Sequence, residues 1–262
     1  MRGLIKYFLI IFFIANASSQ DKLFTIIDPD QTGIHFSNDL IDTKENNVFL
    51  YANFYGGAGV GVGDFDNDGL DDLFFAGNLV DDKIYKNLGN LKFQDKTPNS
   101  GIINDNSWST GVTVADVNND GLLDIYVSCE LYDDQPKLRT NKLYINKGNF
   151  KFDELAAKWN VDVDRRTRHA VFFDYNKDGL LDLYLLNHPP NTGNFSPFLG
   201  TDMKLPEYNL QLFENKEGFF EDVTAKAGLD RSGFPNAAVI GDFNKDGWPD
   251  IYVANDFEAP DF

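Results

Sequence analysis

A chain of 262 residues with 41 acidic and 23 basic side chains carries a formal charge of −18, a field that argues against nucleic acid or an anionic membrane surface as a partner. The 42% hydrophobic content suffices for a core, either one large all-β domain or two smaller ones. The only cysteine, Cys129, excludes an internal disulfide, so an exported fold must find its stability elsewhere, and bound metal is one source.

At the N-terminus, Arg2 and Lys6 precede the apolar run from Tyr7 to Ile14, followed by Ala15-Asn16-Ala17. This is the order of a secretory signal peptide, residues 1–17, cleaved after Ala17. The apolar run is well short of the ~20 residues that span a bilayer, so no membrane insertion is expected. The expected location is extracellular, periplasmic or at the cell surface. Residues 18–52 lead into the first repeat unit.

An internal repeat fills the rest. Asp64-Phe65-Asp66-Asn67-Asp68-Gly69-Leu70-Asp71-Asp72 recurs as Asp116-Val117-Asn118-Asn119-Asp120-Gly121-Leu122-Leu123-Asp124, and again from Asp174 and Asp242. Loops are 52, 58 and 68 residues apart, room for four strands and their connections. Before each loop come Val60/Val62, Val112/Val114, Ala170/Phe172 and Ala238/Ile240, apolar at alternate positions as a half-buried strand requires. After each come Leu73-Phe74-Phe75, Ile125-Tyr126-Val127, Leu183-Tyr184-Leu185 and Ile251-Tyr252-Val253, runs suited to a buried strand. A third strand carries Ile84-Tyr85-Lys86-Asn87, Leu143-Tyr144-Ile145-Asn146 or Leu212-Phe213-Glu214-Asn215, and a fourth carries Phe93, Phe152 or Phe220. Four antiparallel strands per repeat make the blade of a β-propeller. The units are 53–102, 103–161, 162–231 and a partial 232–262, so the set of blades is incomplete in this chain and further blades or a domain are expected C-terminal to it.

Two segments stand outside the repeat. Arg165-Arg166-Thr167-Arg168-His169 reads as a solvated basic loop. The stretch from His188 through Phe195 and Phe198 to Tyr208 is too long for an ordinary hairpin connection and rich in Pro and aromatics, which suits a contact loop.

Carboxylates at this density repel one another by kcal/mol amounts even at an effective dielectric of ~20, and a hard divalent ion removes that cost. Oxygen-only donors without neighbouring His or Cys select calcium. Side chains at loop positions 1, 3, 5 and 9 and a backbone carbonyl at position 7 form the expected ligand sets. These are Asp64, Asp66, Asp68, Leu70 and Asp72; Asp116, Asn118, Asp120, Leu122 and Asp124; Asp174, Asn176, Asp178, Leu180 and Asp182; and Asp242, Asn244, Asp246, Trp248 and Asp250. About four Ca²⁺ ions are expected, with loop 1 tightest because it alone has a carboxylate at position 3. An EF-hand opens in the same way but needs a glutamate at position 12, where this chain has Phe75, Val127, Leu185 and Val253, all within the following strand.

No catalytic constellation is visible. His35, His169 and His188 show no motif spacing, and Cys129 reads as a small buried hydrophobe. A binding or adhesion scaffold for extracellular protein or glycan is the expected function; the alternative is the propeller domain of an extracellular hydrolase or lyase acting on polysaccharide or phosphoester.

The apolar-Gly/Ala-Asp lead into each nine-residue loop and the later [IL]-[YF]-x-N strand resemble the FG-GAP/VCBS repeat family, over about Tyr55 to Phe262. The resemblance implies the calcium-loop blades of integrin α-subunit propellers and of many secreted bacterial proteins, in a seven-bladed ring. The closing segment Asn255 to Phe262 is similar to the branch related to cartilage acidic protein, often followed by an ASPIC/UnbV-type domain.

Overall fold

Short runs of β-branched and aromatic residues, each ended by a glycine-bearing turn or an acidic loop, leave the chain few options besides a meander of antiparallel strands. A computed structural model describes residues 23–51, 53–131, 136–189, 206–256 and 261. The leader peptide, Phe195 and Phe198 lie outside these residues. Blade 1 comprises β1 (Val60–Gly63), β2 (Asp72–Phe75), β3 (Lys83–Asn87) and β4 (Phe93–Asp95). Blade 2 comprises β5 (Trp108–Ala115), β6 (Asp124–Glu130), β7 (Lys142–Asn146) and β8 (Phe152–Glu154). Blade 3 comprises β9 (Thr167–Phe173), β10 (Asp182–Asn187), β11 (Gln211–Asn215) and β12 (Phe220–Asp222). A two-stranded sheet of β13 (Pro235–Gly241) and β14 (Asp250–Asn255) comes last. Strands pair antiparallel in chain order within every sheet, so the fold is all-β and propeller-like in its blades. Three four-stranded blades and a two-stranded sheet do not close a ring among the described residues.

The first strands stand side by side, β1 against β5, β5 against β9 and β9 against β13, and the core fills the spaces between blades. Phe65, Phe74, Ile84, Val112, Val127 and Phe152 form one layer between blades 1 and 2. Val117, Tyr126, Ile145, Ala170, Leu183 and Phe213 form the next, and Phe173, Tyr184, Leu186, Leu212 and Val253 the third. Cys129 is fully buried in the first of these layers, and burial pushes its thiol up to about 12, as suits a hydrophobe rather than a nucleophile.

Alternation in β1 runs opposite to its hydrophobic pattern. Gly61 and Gly63 are buried, whereas Val60 and Val62 are 50% and 54% exposed. A Cβ on Gly61 would lie 2.7 Å from Val112 Cγ1, so only glycine admits the neighbouring blade this closely. In blade 2 the matching residues Val112 and Val114 point at that glycine, back toward blade 1. The valine face therefore packs on the preceding blade, and β1 has no described blade on that side.

The basic cluster is also not a solvated loop. It opens β9, with Thr167 and Arg166 buried and Arg168 drawn inward to Glu130, a glutamate at the end of β6 with no exposed surface. Arg168 Nη1 donates to Glu130 Oε1 at 2.6 Å, Tyr51 Oη donates to the same oxygen, and His188 Nε2 lies 3.1 Å from Oε2. Tyr51, Arg168 and His188, far apart in sequence, thus meet on one buried carboxylate, which draws the arginine most of the way out of solvent, its side chain 22% exposed. Burial pulls the Glu130 carboxyl upward, but the His188 hydrogen bond and charge, the Arg168 charge and the Tyr51 hydroxyl outweigh it and hold it at about 2.

Glu130→Ala is expected to lower the unfolding free energy by about 3 kcal/mol, since it leaves the largely buried Arg168 without its carboxylate and with only Tyr51 Oη, at 3.3 Å, as a partner of Nη1. In the wild type the carboxyl titrates below its ordinary 4.5, so its stabilisation is complete above that pH and is lost as pH falls toward about 2. Urea denaturation across that range, compared with the variant, checks both statements.

Candidate metal centre

Each acidic loop joins the first strand of a blade to the second, and its backbone is wrapped around its own carboxylates. The position-1 aspartate receives two amides: Asp68 N donates to Asp64 Oδ1 at 3.0 Å, and Gly69 N donates to Asp64 Oδ2 at 2.7 Å. The same pair recurs on Asp116, Asp174 and Asp242. The position-7 amide donates to the position-5 carboxylate in all four loops, from Leu70, Leu122, Leu180 and Trp248. The turn requires left-handed backbone at position 6, where φ is +87°, +84°, +89° and +85°. Around Gly69, Gly121 and Gly179 a Cβ would meet nothing within 4 Å, so conformation rather than space calls for glycine.

Position 9 is the buried end of the loop. Asp72, Asp124 and Asp182 are almost wholly buried, and each accepts from the position-2 amide on one oxygen and from the third-strand asparagine amide on the other. Asp250, in the two-stranded sheet, retains only the first of these bonds among the described residues, from Phe243 N at 2.9 Å. Burial raises the Asp72 carboxyl and pushes Asp124 up to about 7 and Asp182 up to about 6, against the pull of the two amides. A bound cation would act in the opposite sense and favour the ionised form.

The third-strand asparagines lock this arrangement. Asn146 Nδ2 donates to Leu123 O of its own loop and to Phe65 O of the loop in blade 1, at 3.0 and 2.9 Å. Asn215 Nδ2 repeats the pattern on Leu181 O and Val117 O, while Asn87 Nδ2 reaches only Asp71 O. The loops also touch one another along one edge of the arc. Asn67 Nδ2 donates to Gly121 O at 3.0 Å, Asn119 Nδ2 to Gly179 O at 3.4 Å, and Lys177 Nζ sits 4.0 Å from the centre of the Trp248 ring.

The donor set fits a hard cation. Carboxylate oxygens of Asp64, Asp66 and Asp72 all lie within 4.8 Å of one another, and Asp66 Oδ1 is buried without a hydrogen-bond partner. Loops 2, 3 and 4 have asparagine at position 3, and its Nδ2 donates to the position-5 aspartate at 2.9–3.0 Å. A third-strand side chain enters the surroundings of two loops. Lys86 Nζ bonds Asp66 Oδ2 and also Asp68 Oδ2, the latter at 2.6 Å. Glu214 accepts from Asn176 Nδ2 and from Tyr175 Oη, both at 3.3 Å. Neither residue belongs to the loop motif, so a reading of D-x-[DN]-x-D-G-x-x-D misses both; the register of the third strand is the signal that locates them.

Of the expected contact residues, His188 is buried on Glu130 and therefore does not present a ligand surface, because the paired carboxylate holds its ring inside the fold. Tyr208 is half-buried in a short 3₁₀ turn, and Phe195 and Phe198 lie outside the described residues.

Antiparallel blades with an acidic loop between first and second strands, stacked so that successive loops touch, define an acidic-loop type of repeat protein by fold. The FG-GAP-like repeat family matches residues 38–127 and the FG-GAP repeat family matches residues 234–261. Two stretches of the chain are thus similar to FG-GAP repeats, and both include acidic loops. It is 22% identical over 250 residues to cartilage acidic protein 1 of Xenopus tropicalis, covering 93% of this chain and 36% of that protein. It is 22% identical over 206 residues to cartilage acidic protein 1 of Homo sapiens, covering 77% of this chain and 28% of that protein. The chain thus spans about a third of the length of these relatives. Among solved structures it is similar to the Vibrio cholerae biofilm matrix protein Bap1, with a TM-score of 0.36, 16% identity, and coverage of 78% of this chain and 26% of that one.

Asn146→Ala removes the amide that bridges Leu123 O of loop 2 to Phe65 O of loop 1, together with the bond from Gly148 N, an expected loss of about 2–4 kcal/mol. Asn87→Ala breaks the exposed bond to Asp71 O and the one from Gly89 N but no bond between blades, and is expected to lose less, about 1 kcal/mol. Parallel urea titrations of the two variants check the difference.

Proposed function

We propose that this chain is a secreted calcium-binding scaffold whose blades present a surface to an extracellular protein or glycan. The single observation that carries the reading is the fourfold reuse of one loop geometry, in which backbone amides hold the position-1 and position-9 carboxylates in place. A site preorganised in this way loses little ordering entropy on binding. In each loop the side chains at positions 1, 3, 5 and 9 and the carbonyl at position 7 would hold one Ca²⁺, four ions in all. The ion would supply the charge that the clustered carboxylates lack and so stiffen the edge along which the loops touch.

The reading of secretion rests on the leader sequence at residues 1–17 and on relatives named for cartilage, an extracellular tissue. No helix among the described residues is long and apolar enough to cross a membrane. The net charge of −18 suits a partner approached through calcium or through uncharged glycan hydroxyls better than a polyanion.

Because the ion binds the native state, calcium must raise stability, by about 2.7 kcal/mol per site at a hundredfold excess over the dissociation constant. Differential scanning calorimetry in millimolar calcium and in EDTA is expected to show a large rise in melting temperature with calcium. Coincident melts would overturn the structural calcium reading. Surface plasmon resonance against immobilised extracellular glycans and matrix proteins, with and without calcium, tests the scaffold role, and the expected binding disappears in EDTA.

A further inference from the structure

The three complete blades differ at one point that the loop motif does not include. The residue before the third-strand asparagine is Lys86 in blade 1, Ile145 in blade 2 and Glu214 in blade 3, and the strand register makes the three equivalent. In blade 1 the ammonium of Lys86 bridges Asp66 and Asp68, the position-3 and position-5 groups of loop 1. Its stem leaves it little freedom to withdraw, since the side chain is four-fifths buried and the ammonium lies 5.6 Å from the centre of the Phe150 ring. In blade 2, Ile145 is buried in the same cluster as Val117 of loop 2 and adds no charge. In blade 3 the largely buried Glu214 lies against Asn176 and Tyr175, the position-3 and position-2 residues of loop 3. Lys216 Nζ pairs with Glu214 and Lys226 Nζ lies 3.9 Å from its other oxygen, but from side chains 35% and 79% exposed, where screening weakens both.

Counting loop carboxylates alone ranks loop 1 as the tightest site. At the ligand positions, which leave out the exposed Asp71, including this strand position reverses the order: the four carboxylates of loop 1 are offset by one ammonium, while the three of loop 3 gain a fourth from Glu214.

We propose that the residue preceding the third-strand asparagine sets the cation affinity of each loop, with Lys86 acting as a tethered counter-ion that competes with calcium at loop 1 and Glu214 strengthening loop 3. This rests on the calcium reading above. Loop 1 is then the site that keeps its geometry when calcium is scarce, because Lys86 already neutralises part of its charge. Loop 3 fills first, and loop 1 admits an ion only when the ammonium swings out.

The amides of Gly69 and Gly179, each bonded to a position-1 carboxylate, are site-specific reporters. A calcium titration of the whole chain monitored by ¹H–¹⁵N NMR is expected to move Gly179 at lower calcium than Gly69. Lys86→Met, which keeps the aliphatic stem, is expected to lower the Gly69 midpoint roughly tenfold and leave Gly179 in place. Glu214→Gln is expected to raise the Gly179 midpoint roughly tenfold, and it stands as an independent arm if the lysine variant fails to fold. Gly69 moving at or below the Gly179 midpoint in the wild type, or midpoints unchanged within twofold in a folded variant, would overturn the proposal while leaving calcium binding intact. Silence of both glycines up to about 10 mM calcium would overturn the calcium reading and this proposal together.

Discussion

A nine-residue loop that gathers three to five carboxylates must find partners for them, and the first partners are its own backbone amides. The position-9 aspartate bears the largest consequence of that constraint. Because its two oxygens take the position-2 amide and the third-strand asparagine amide, the loop, the second strand and the third strand converge on one buried carboxylate in each complete blade. A buried carboxylate without such amides would be too costly to retain. The blade is therefore organised from its acidic end, and the hydrophobic strands conform to the geometry set there.

Coupling between blades comes from the same residues. The asparagine that caps Asp124 also donates to the carbonyl of Phe65 in the preceding loop, so a bond local to one blade becomes a bond between two. Apolar layers fill the remaining space, and Gly61 admits Val112 where any side chain would clash. At the opposite end of the strands, Glu130 collects Tyr51, Arg168 and His188 and ties the N-terminal segment to blades 2 and 3. Acidic groups thus anchor both ends of the strands, one end through backbone amides and the other through the side chains of Tyr51, Arg168 and His188.

Charge at the loops is not a property of the loops alone. Lys86 and Glu214 approach from a strand that the motif does not contain, and they carry opposite signs at one register position. Repeats that share a geometry can differ in this way without disturbing it, because the third strand packs through its neighbouring aromatic residues, Tyr85, Tyr144 and Phe213.

Local pattern carried a large part of this protein. The sharp turn, the glycine at position 6 and the flanking strands arise from short-range sterics and period-two burial, and apolar residues at position 12 separate the loops from EF-hands. The tertiary structure decided what depends on contact between blades. It exposed Val60 and Val62 by giving β1 no described neighbour on that side, and it drew the basic cluster inward by bringing Glu130 up against Arg168. It took His188 from an expected contact loop into the same buried pair, and it set Lys86 and Glu214 beside their loops. Alternation along a strand says which residues share a face. It does not say which neighbour that face meets, and at these positions the neighbour determined burial, pairing and charge.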